Sequence, residues 1–573
     1  MKGFIMDRIT RLEQEKTIAN LYAIIASSGT ERAAVEFLRD GQPVAWTYAD
    51  CDRMARAYAV ELSRAFPQAI RGMVAIKVDT CPEWTSVFWG ILMAGYSPLL
   101  LDFTLNEEMT THLLVQAGAL GVVTRTQQNL PEQYRQIMFD DLISAPEAPA
   151  DFTPRFGESV ALCTSGTTST SRIFVYNAVA LSNQVLNSGL LYKINRYIID
   201  DEPRRALAFL PLHHVFGFLV HTMWCPFVGY SNVFLKDRAP QTIVTTCNYF
   251  RVQLVVAVPL LINNLSVALG KKVAKEPPLK RGAFAAMKWL SLAIQTIAPH
   301  FGLRFARQTL FKSILKQLLG PDVLCIVLGG SHTPAKHMRT ICALGYYAIC
   351  GFGMTETALT SADLSMNVQR RISGSVGRPL PTAEYRVIPI KRGDRNRGEM
   401  QVRGGTLHTG RMVNGKLESP DVDGNGWYPT GDVVRLKRTG MWIEGRTKDV
   451  IINESGENVY PDELEDVFAS IEGVEQFCVL GVAKKGDKRS KYHDITLVCN
   501  VGASYNDAQF LETLTRAIAQ ANGRLPILKR LSRAIVTQEK LPVVNAIKVK
   551  RITLREQIEG RKIAFQDLDL KAK

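Results

Sequence analysis

The sequence predicts an α/β fold: a large amino-terminal domain of mostly parallel sheets flanked by helices, a small β subdomain, and a small mobile α+β domain at the carboxyl end. Apolar runs alternate with amphipathic stretches through the first two-thirds of the chain, which is typical of parallel strands joined by helices. After about Gly393 the pattern changes to short strands punctuated by glycine. A chain of 573 residues is also too long for one ordinary core, so two or more domains are expected.

The first two-thirds of the chain contain apolar runs of five or six residues, a usual length for buried strands. Amphipathic helices are predicted between these runs, over Asp50–Arg64 and Glu83–Gly95. The predicted strands are Met73–Val78, Ser159–Cys163, Arg205–Leu210, Leu254–Val258 and Leu324–Leu328.

The last third of the chain divides into two patterns. Strands at Glu399–Arg403 and Val433–Lys437 indicate an antiparallel β region. The polar run Gly445–Asp449 follows, so we expect a large domain over residues 1–447 and a small lid domain over residues 448–573. The elements predicted for the lid domain are strand Val450–Ile452, helix Pro461–Ile471, strands Phe477–Val482 and Asp494–Cys499, and helix Asn506–Gln520.

Residues 206–235 contain no Asp, Glu, Lys or Arg, and a segment of this length can span a bilayer. The same segment carries three histidines and two prolines, which are poor content for a lipid-facing helix. Periodicity alone does not separate a membrane span from buried elements. We therefore predict a buried strand followed by a buried helix.

The cysteines and the amino terminus indicate a compartment. Ten cysteines are scattered without the close pairs that bind zinc, a pattern expected in a reducing environment. The first residues become charged before an apolar signal region develops. A cytoplasmic location is expected.

The net charge of +15 is concentrated in one segment. Between Arg238 and Pro321 there are twelve basic residues and one acidic residue, Glu276. A positive surface of this kind attracts anionic lipid, acidic protein or polyanion. No nucleic-acid motif accompanies it, so nucleic acid is not an expected partner.

The loop after the predicted strand Ser159–Cys163 is rich in hydroxyl side chains. Seven of them surround one glycine, and Arg172 ends the run. Main-chain N–H groups and hydroxyls can bind triphosphate oxygens while Arg172 neutralises charge. The glycine spacing is not that of a Walker loop, and a loop of this composition alone is more often a plain surface turn.

Two further motifs fit a nucleotide. In Gly351–Thr357 the glycines allow close backbone approach, Phe352 can cover a purine face, and Thr355 with Glu356 can reach a phosphate and its magnesium. In the run 427–432, Asp432 can accept both hydroxyls of a ribose, and Arg446 can bind the same nucleotide. The alternatives are a turn residue for Asp432 and a surface ion pair for Arg446.

The order of these segments resembles the adenylate-forming superfamily of acyl-CoA synthetases, luciferases and peptide-synthetase adenylation domains, nearly end to end. Further matching segments are Trp46–Asp50, Leu92–Leu99, Leu210–His214 and Leu541–Arg551. Within the superfamily, the long-chain acyl-CoA synthetases look closest, from similarity at Leu319–Ser331, Ser375–Pro381 and Gly424–Tyr428.

The resemblance implies ATP-dependent activation of a carboxylic acid, most simply a fatty acid, as an acyl-adenylate, followed by transfer to a thiol. It implies that Lys548 bridges the carboxylate and the α-phosphate, that His214 lies beside the acyl carboxylate, and that Lys448 is the hinge of a mobile lid. The other implied roles are these: Thr164, Ser165, Thr167, Thr168 and Arg172 at the β,γ-phosphates, Thr355 at the α-phosphate, Glu356 at Mg²⁺, Gly330 and Phe352 at adenine, Asp432 and Arg446 at the ribose, and Gly166 and Gly353 among the residues that bind the nucleotide.

Departures from the family pattern leave alternatives open. Ser169, Ser171 and Arg172 replace the usual glycine, proline and lysine of the phosphate loop, and Ile547 replaces the glycine before the closing lysine. The main hypothesis is transfer of the acyl group to CoA. The second is transfer to the phosphopantetheine arm of an acidic acyl carrier protein, and the third is a non-catalytic acyl or nucleotide sensor.

The basic segment from Lys271 to Lys316 has two interpretations. Its central part, Ala283–Thr296, is rich in apolar residues, with cations on both sides. It is either a helical hairpin packed on the large domain with a solvated basic face, or a docking surface for anionic lipid or an acidic carrier protein.

Overall fold

A computed structural model describes residues 3–66, 72–164, 172–390, 396–452, 458–469, 471–483, 493–544 and 548–570. The chain forms two compact units, one of residues 1–385 with 402–428 and the other of residues 386–401 with 429–573. The predicted α/β class is confirmed. Residues 429–447 belong to the second unit, which is therefore larger than the predicted lid domain, and the hinge at Lys448 stays a prediction.

The described strands are β1 Ala33–Arg39, β2 Gln42–Thr47, β3 Met73–Lys77, β4 Ser97–Leu100, β5 Ala119–Thr124, β6 Arg135–Met138, β7 Ser159–Cys163, β8 Ile173–Asn177, β9 Arg205–Ala208, β10 Ser231–Phe234, β11 Leu254–Ala257, β12 Cys325–Leu328, β13 Tyr347–Met354, β14 Ala358–Ala362, β15 Arg378–Pro379, β16 Ala383–Pro389, β17 Arg397–Gly404, β18 Gly410–Val413, β19 Lys416–Glu418, β20 Tyr428–Lys437, β21 Gly440–Arg446, β22 Ile451–Ile452, β23 Asn458–Val459, β24 Gln476–Ala483, β25 His493–Asn500, β26 Arg533–Thr537, β27 Val543–Val544, β28 Lys548–Val549 and β29 Gln566–Leu568.

The described α-helices are α1 Phe4–Gln14, α2 Ile18–Ala26, α3 Tyr48–Ala65, α4 Trp84–Met93, α5 Glu107–Ala117, α6 Phe139–Ile143, α7 Ala178–Leu186, α8 Ser188–Ile194, α9 Val215–Phe218, α10 Cys225–Phe227, α11 Pro240–Tyr249, α12 Pro259–Ala274, α13 Pro278–Ile297, α14 Pro299–Phe305, α15 Lys312–Leu315, α16 Ala335–Ala343, α17 Val368–Ile372, α18 Pro461–Phe468, α19 Ala508–Gly523 and α20 Arg551–Glu559.

Two large sheets make up the first unit. The nine-stranded sheet has the order β15-β14-β13-β12-β11-β9-β10-β1-β2, and its six central strands from β13 to β1 are parallel. The eight-stranded sheet has the order β19-β18-β8-β7-β4-β3-β5-β6, with β7, β4, β3, β5 and β6 parallel. All five residues of β3 are buried, because helices cover both faces of parallel sheets and the strands therefore read as continuous apolar runs.

The uncharged segment at residues 206–235 lies in the interior of the first unit. It forms β9, helix α9, a π-helix over Leu219–Trp224, helix α10 and strand β10. Every residue of the π-helix is buried, so the prediction of a buried strand followed by a buried helix is confirmed. Within the described ranges, the structure has no helix long and apolar enough to cross a membrane.

The second unit has the small α+β pattern expected for the end of the chain. Strands β24, β25, β26 and β29 form a four-stranded sheet; helix α18 precedes these strands in the chain, and helices α19 and α20 lie between them. Leu464, Val479, Leu497 and Ile518 belong to its core. A second four-stranded sheet has the order β16-β17-β20-β21.

Candidate functional site

Candidate site residues of the first unit follow the carboxyl ends of adjacent parallel strands. His214 comes after β9, Gly330 after β12, and Thr355 with Glu356 after β13, three strands that lie on either side of β11 in one sheet. In the other sheet, Thr164 follows β7 directly. Because ligands bind outside the carboxyl ends of such strands, the topology places these groups where a ligand is expected.

The hydroxyl-rich loop joins the antiparallel strands β7 and β8. Two hydrogen bonds between Thr164 and Arg172 hold the ends of the loop together. The Thr164 N–H donates to the Arg172 carbonyl at 3.0 Å, and the Arg172 N–H donates to Thr164 Oγ1 at 3.0 Å. Arg172 is exposed. The predicted phosphate ligands Ser165, Gly166, Thr167 and Thr168, together with Ser169 and Ser171, lie outside the described residues.

The turn between β13 and β14 is held from two sides. The Tyr176 hydroxyl donates to the Thr355 carbonyl at 2.6 Å, and the His408 N–H donates to the Glu356 carbonyl at 3.2 Å. The His408 Nδ1 atom lies 2.7 Å from the same carbonyl, which requires that this ring nitrogen carries the proton. These bonds fix the backbone of Thr355 and Glu356, so both side chains start from a defined position.

Two phenols lie within the electrostatic reach of Glu356. Burial raises the pKa of Tyr176 far above its usual value, and the charge of Glu356 adds to the rise. Burial also raises the pKa of Tyr428, again with a contribution from Glu356, while Arg172 opposes it. Both hydroxyls therefore remain protonated at neutral pH, next to a half-buried carboxylate.

Two of the glycines predicted to bind the nucleotide, Gly330 and Gly353, are required by the backbone for different reasons. Gly330 has φ +89°, a backbone conformation that side chains other than glycine rarely adopt. Gly353 lies opposite the Ala358 carbonyl in the β13–β14 hairpin, where a Cβ atom would come within 2.4 Å of that oxygen. The β13–β14 hairpin itself therefore requires glycine at position 353, whatever the ligand.

A histidine pair lies beside Asp102, with His213 buried and His214 partly buried. The His213 Nε2 atom is 3.7 Å from the nearer Asp102 carboxylate oxygen, and the rings of His213 and His214 are 4.2 Å apart. Burial lowers the pKa of His213 to about 3, with further lowering by His214, and burial also lowers the pKa of His214. His214 is therefore neutral at physiological pH, and beside an acyl carboxylate it would act as a hydrogen-bonding group rather than a cation.

In the second unit, Asp432 and Arg446 face each other across β20 and β21. The Arg446 Nε atom donates to an Asp432 carboxylate oxygen at 3.1 Å, with Asp432 buried and Arg446 partly exposed. Thr430 Oγ1 accepts from the Asp432 N–H at 3.1 Å. The structure thus brings the two predicted ribose ligands together and shows the ion pair that was the alternative interpretation. Their role at a ribose stays a prediction.

The segment before α20 is fixed by Arg551. Its guanidinium donates to the Val479 carbonyl at 3.1 Å and to Glu465 at 2.7 Å, and it also bonds Asp449 and Asp462. The backbone of Lys548 lies in β28, paired with Val544, and its side chain is outside the described part of the chain. Lys448 is exposed in a short 3₁₀ turn, Thr447–Asp449.

Sequence reasoning missed Tyr176, His408, Asp102 and Arg551. His408 meets Glu356 across 52 positions, and Tyr176 meets Thr355 across 179. Such contacts carry no local motif. The one available signal was indirect: Tyr176 follows the phosphate loop in β8, the strand that pairs with the predicted strand β7.

Comparison with known proteins gives the family. The model of the AMP-binding enzyme family matches residues 25–410. The chain is 28% identical to rat mitochondrial medium-chain acyl-CoA ligase ACSF2 over 281 residues, which is 47% of this chain and 44% of that enzyme. It is 23% identical to the 2-succinylbenzoate–CoA ligase of Oceanobacillus iheyensis over 468 residues, which is 80% of this chain and 84% of that enzyme.

A solved structure shows the same fold. The o-succinylbenzoate CoA synthetase of Bacillus subtilis, in complex with its acyl-adenylate intermediate, superimposes with a TM-score of 0.69 at 19% identity. The match covers 93% of this chain and 97% of that chain.

Proposed function

Because this chain belongs to the AMP-binding enzyme family, we propose that it activates a carboxylic acid with ATP and transfers the acyl group to a thiol. Similarity to known enzymes supports this class of reaction, since both relatives described above are acid–CoA ligases. We further propose a fatty acid as substrate, as in the long-chain acyl-CoA synthetases that the motifs resemble.

The first step joins two anions. A carboxylate oxygen attacks the α-phosphorus of ATP, the bond from that phosphorus to the bridging oxygen breaks, and pyrophosphate leaves. Cations must lie where negative charge develops, and Lys548 is our candidate for the carboxylate and α-phosphate, with Arg172 for the outer phosphates. His214, neutral because burial lowers its pKa, would orient the carboxylate by hydrogen bonding.

The second step releases AMP. A thiol sulfur attacks the acyl carbonyl carbon, the bond to the phosphate oxygen breaks, and the thiol proton passes to solvent or base. We propose that the lid turns about Lys448 between the two steps, so that Lys548 serves only the first.

The residues at the β13–β14 turn fit a magnesium ion. The Glu356 carboxylate and the neighbouring hydroxyl of Thr355 are hard oxygen donors, the kind that Mg²⁺ prefers. Glu356 would hold the ion, which when bound neutralises charge on the ATP phosphates.

An interior cavity of the first unit carries the proposal of a fatty substrate. Its walls are formed by aliphatic and aromatic side chains, among them Phe216, Val220, Trp224, Val256 and Leu359. Phe216 lies two residues after His214, and Leu359 lies three residues after Glu356. Sequence neighbours of two proposed site residues thus line this cavity, and its apolar walls suit an alkyl chain better than an acid with a second charged group.

The thiol acceptor has two candidates. Free CoA is the first, because the relatives are CoA ligases. The phosphopantetheine arm of an acidic acyl carrier protein is the second, and the positive net charge of this chain is compatible with an acidic partner. We propose a cytoplasmic location with peripheral contact to an anionic membrane.

ATP–pyrophosphate exchange tests the proposal directly. The purified protein is assayed with fatty acids of different chain lengths, 2-succinylbenzoate and no acid, and the expected result is exchange that depends on a fatty acid. Exchange with 2-succinylbenzoate alone would reject the fatty substrate, and no exchange with any acid, despite binding of ATP or a fatty acid, would favour a sensor. Thioester formation with free CoA or with holo carrier protein then identifies the acceptor.

A further inference from the structure

Helix α13 turns an apolar face towards solvent. Leu279 is 85% exposed and Ile297 is 86% exposed, with Trp289 beside them at 72%. From Leu279 to Ile297, six apolar residues follow one another at intervals of three or four positions. This spacing places their side chains on one side of the helix, over a length of about 27 Å. This α13 stripe consists of Leu279, Ala283, Ala286, Leu290, Ala293 and Ile297.

The opposite face of α13 explains why the stripe points outward. Ser291 and Gln295 are fully buried, and they donate to the Ala343 carbonyl at 2.6 Å and the Cys342 carbonyl at 2.9 Å. Lys288 reaches Thr340 at 3.4 Å. The helix thus attaches to α16 through polar residues, with Leu292 also buried, whereas an ordinary surface helix buries mainly apolar residues.

Exposed cations flank the α13 stripe along the chain. Helix α13 contains no acidic residue, and Glu276 is the one acid between Arg238 and Pro321. A row of exposed basic residues precedes and follows the stripe in the chain: Lys271, Lys272, Lys275, Lys280, Arg304, Lys312 and Lys316. Phe301, on the next helix, is 60% exposed.

We propose that α13 is an interfacial helix that docks this protein on an anionic lipid surface, with the α13 stripe in the acyl boundary and the cations at the headgroups. A helix with this combination lies in the plane of the interface, about 5–10 Å deep. The inference rests on the proposed function only for its purpose, which is access to an acid that partitions into membranes.

Charge and chemistry favour lipid over the other occupants. A second copy of this chain would bring two basic surfaces together, and surfaces of like charge repel each other. An acidic protein would satisfy the cations, but the α13 stripe offers it no hydrogen-bonding side chain by which to fix an orientation. A helix bound to a lipid surface needs no fixed orientation about the membrane normal, so lipid binding does not require such a side chain.

Vesicle sedimentation tests the proposal, without ATP or acid, so that its result is independent of pyrophosphate exchange. The protein is expected to sediment with phosphatidylcholine vesicles containing phosphatidylglycerol, and less at high salt, because each cation near such a surface contributes roughly a factor of five in affinity. Replacing Lys271, Lys272, Lys275 and Lys280 by Gln should lower the affinity at least ~100-fold.

The α13 stripe has its own variant and control. The triple variant Leu279→Glu, Leu290→Glu and Ile297→Glu should stay in the supernatant while keeping the thermal stability of the native protein. A matched control places the same charges on other exposed apolar residues, Val115, Val179 and Leu417, which are 45%, 47% and 56% exposed. The control should sediment with a vesicle affinity reduced much less than that of the stripe variant.

Fluorescence supplies a second readout. Binding should shift the emission of the protein to shorter wavelength, and Trp289→Phe should remove most of that shift. The proposal is overturned if the native protein does not bind anionic vesicles, or if the stripe variant binds as well as its control. It is also overturned if the stripe proves to join two copies of the chain, or to bind an acidic carrier protein in place of vesicles.

Discussion

At the scale of single residues, burial rather than neighbouring charge is the main cause of the lowered pKa values of His213, His214 and His221. His221 is fully buried, and burial lowers its pKa to about 4, although its bond to Asn232 opposes this shift. The Asn232 Nδ2 atom donates to the His221 carbonyl at 2.8 Å, so its Oδ1 atom must accept from His221 Nδ1, also at 2.8 Å. The proton of neutral His221 is therefore on Nδ1.

His221 makes the stability of the first unit depend on pH. Between its folded pKa of about 4 and its usual value of 6.5, the unfolded chain binds the proton and the folded chain does not. The free energy of unfolding therefore falls as pH decreases from 6.5 to 4, by up to about 1.4 kcal/mol per pH unit for one group.

His221→Gln should flatten this pH dependence. Urea unfolding followed by tryptophan fluorescence measures it, since six of the seven tryptophans lie in the first unit. The exposed His300, changed to Gln, is the control and should leave the slope as it is. An equal slope in the native protein and His221→Gln would contradict the assignment.

Lys548→Ala should remove most of the adenylation activity, because no cation would then neutralise the carboxylate and the α-phosphate as they approach each other. Thioester formation from supplied acyl-AMP should persist, since we expect Lys548 to serve the first step alone. Pyrophosphate exchange and single-turnover thioester formation measure the two steps separately. Lys540→Ala, an exposed lysine of the same unit, is the control. Equal losses in both steps would reject the proposed role.

Asp432→Ala should weaken ATP binding by about tenfold or more, because a hydrogen bond to a charged group contributes roughly 1.5–3 kcal/mol. Calorimetry measures the affinity. Asp432→Asn keeps hydrogen-bonding atoms while removing the charge that pairs with Arg446, and should bind ATP with intermediate affinity. If both variants bind as the native protein does, Asp432 serves only its ion pair.

At the scale of elements, Arg551 connects four parts of the second unit. It begins α20 and bonds β24 through the Val479 carbonyl, α18 through Asp462 and Glu465, and the 3₁₀ turn through Asp449. Arg551→Met should destabilise this unit by about 3–5 kcal/mol, because buried carboxylates lose their partner.

Hydrogen exchange measures that loss, at the amides of β24 and α20. Exchange should accelerate there and remain unchanged in the sheets of the first unit. Arg524→Met, at an exposed position of the second unit, should change neither. Protection in β24 and α20 equal to that of the native protein would show that Arg551 contributes little to stability.

The bounds of helices and strands were predicted well from the sequence where the local pattern of apolar residues determines them. The strand predicted at Ser159–Cys163 has the same bounds in the structure, and the helix predicted at Asp50–Arg64 extends over Tyr48–Ala65. The helix begins at Tyr48 because Thr47 and Asp50 form a capping box. The strand predicted to reach Leu210 ends at Ala208, where the chain turns towards Pro211.

The contacts within the candidate site were harder to predict from the sequence, because they join residues that are far apart along the chain. The residues proposed to contact substrate were predicted from the order of their motifs along the chain. The groups that fix the turn at Thr355 and Glu356 come from β8 and from the segment before β18. A π-helix at Leu219–Trp224 has no apolar pattern that distinguishes it from an α-helix.

At the scale of the whole molecule, the two units do not follow a single cut in the chain. Residues 386–401 belong to the second unit, while residues 402–428 return to the first. The polar run Gly445–Asp449 led to a predicted boundary before Lys448, but the strand β17 pairs with β20, which lies more than twenty residues further along the chain. Sheet pairing is nonlocal, so the sequence did not predict it.

The hinge prediction belongs to this scale. Lys448 lies in an exposed turn between β21 and β22, where a change in backbone angles would redirect everything that follows. Lys448→Pro fixes φ near −65° and removes an N–H group. We expect adenylation to stay within about threefold of the native rate, because rotation of the lid follows that step.

Thioester formation should fall much further in Lys448→Pro, since the second step requires the rotation. Lys448→Ala keeps backbone freedom, and it should catalyse both steps at close to the native rates. Pyrophosphate exchange measures the first step, and rapid-quench assays of thioester formation measure the second. If Lys448→Pro completes the full reaction at the rate of Lys448→Ala, the pivot lies elsewhere in the chain, and a boundary within residues 386–401 or at 428/429, where the compact units divide, becomes the better candidate.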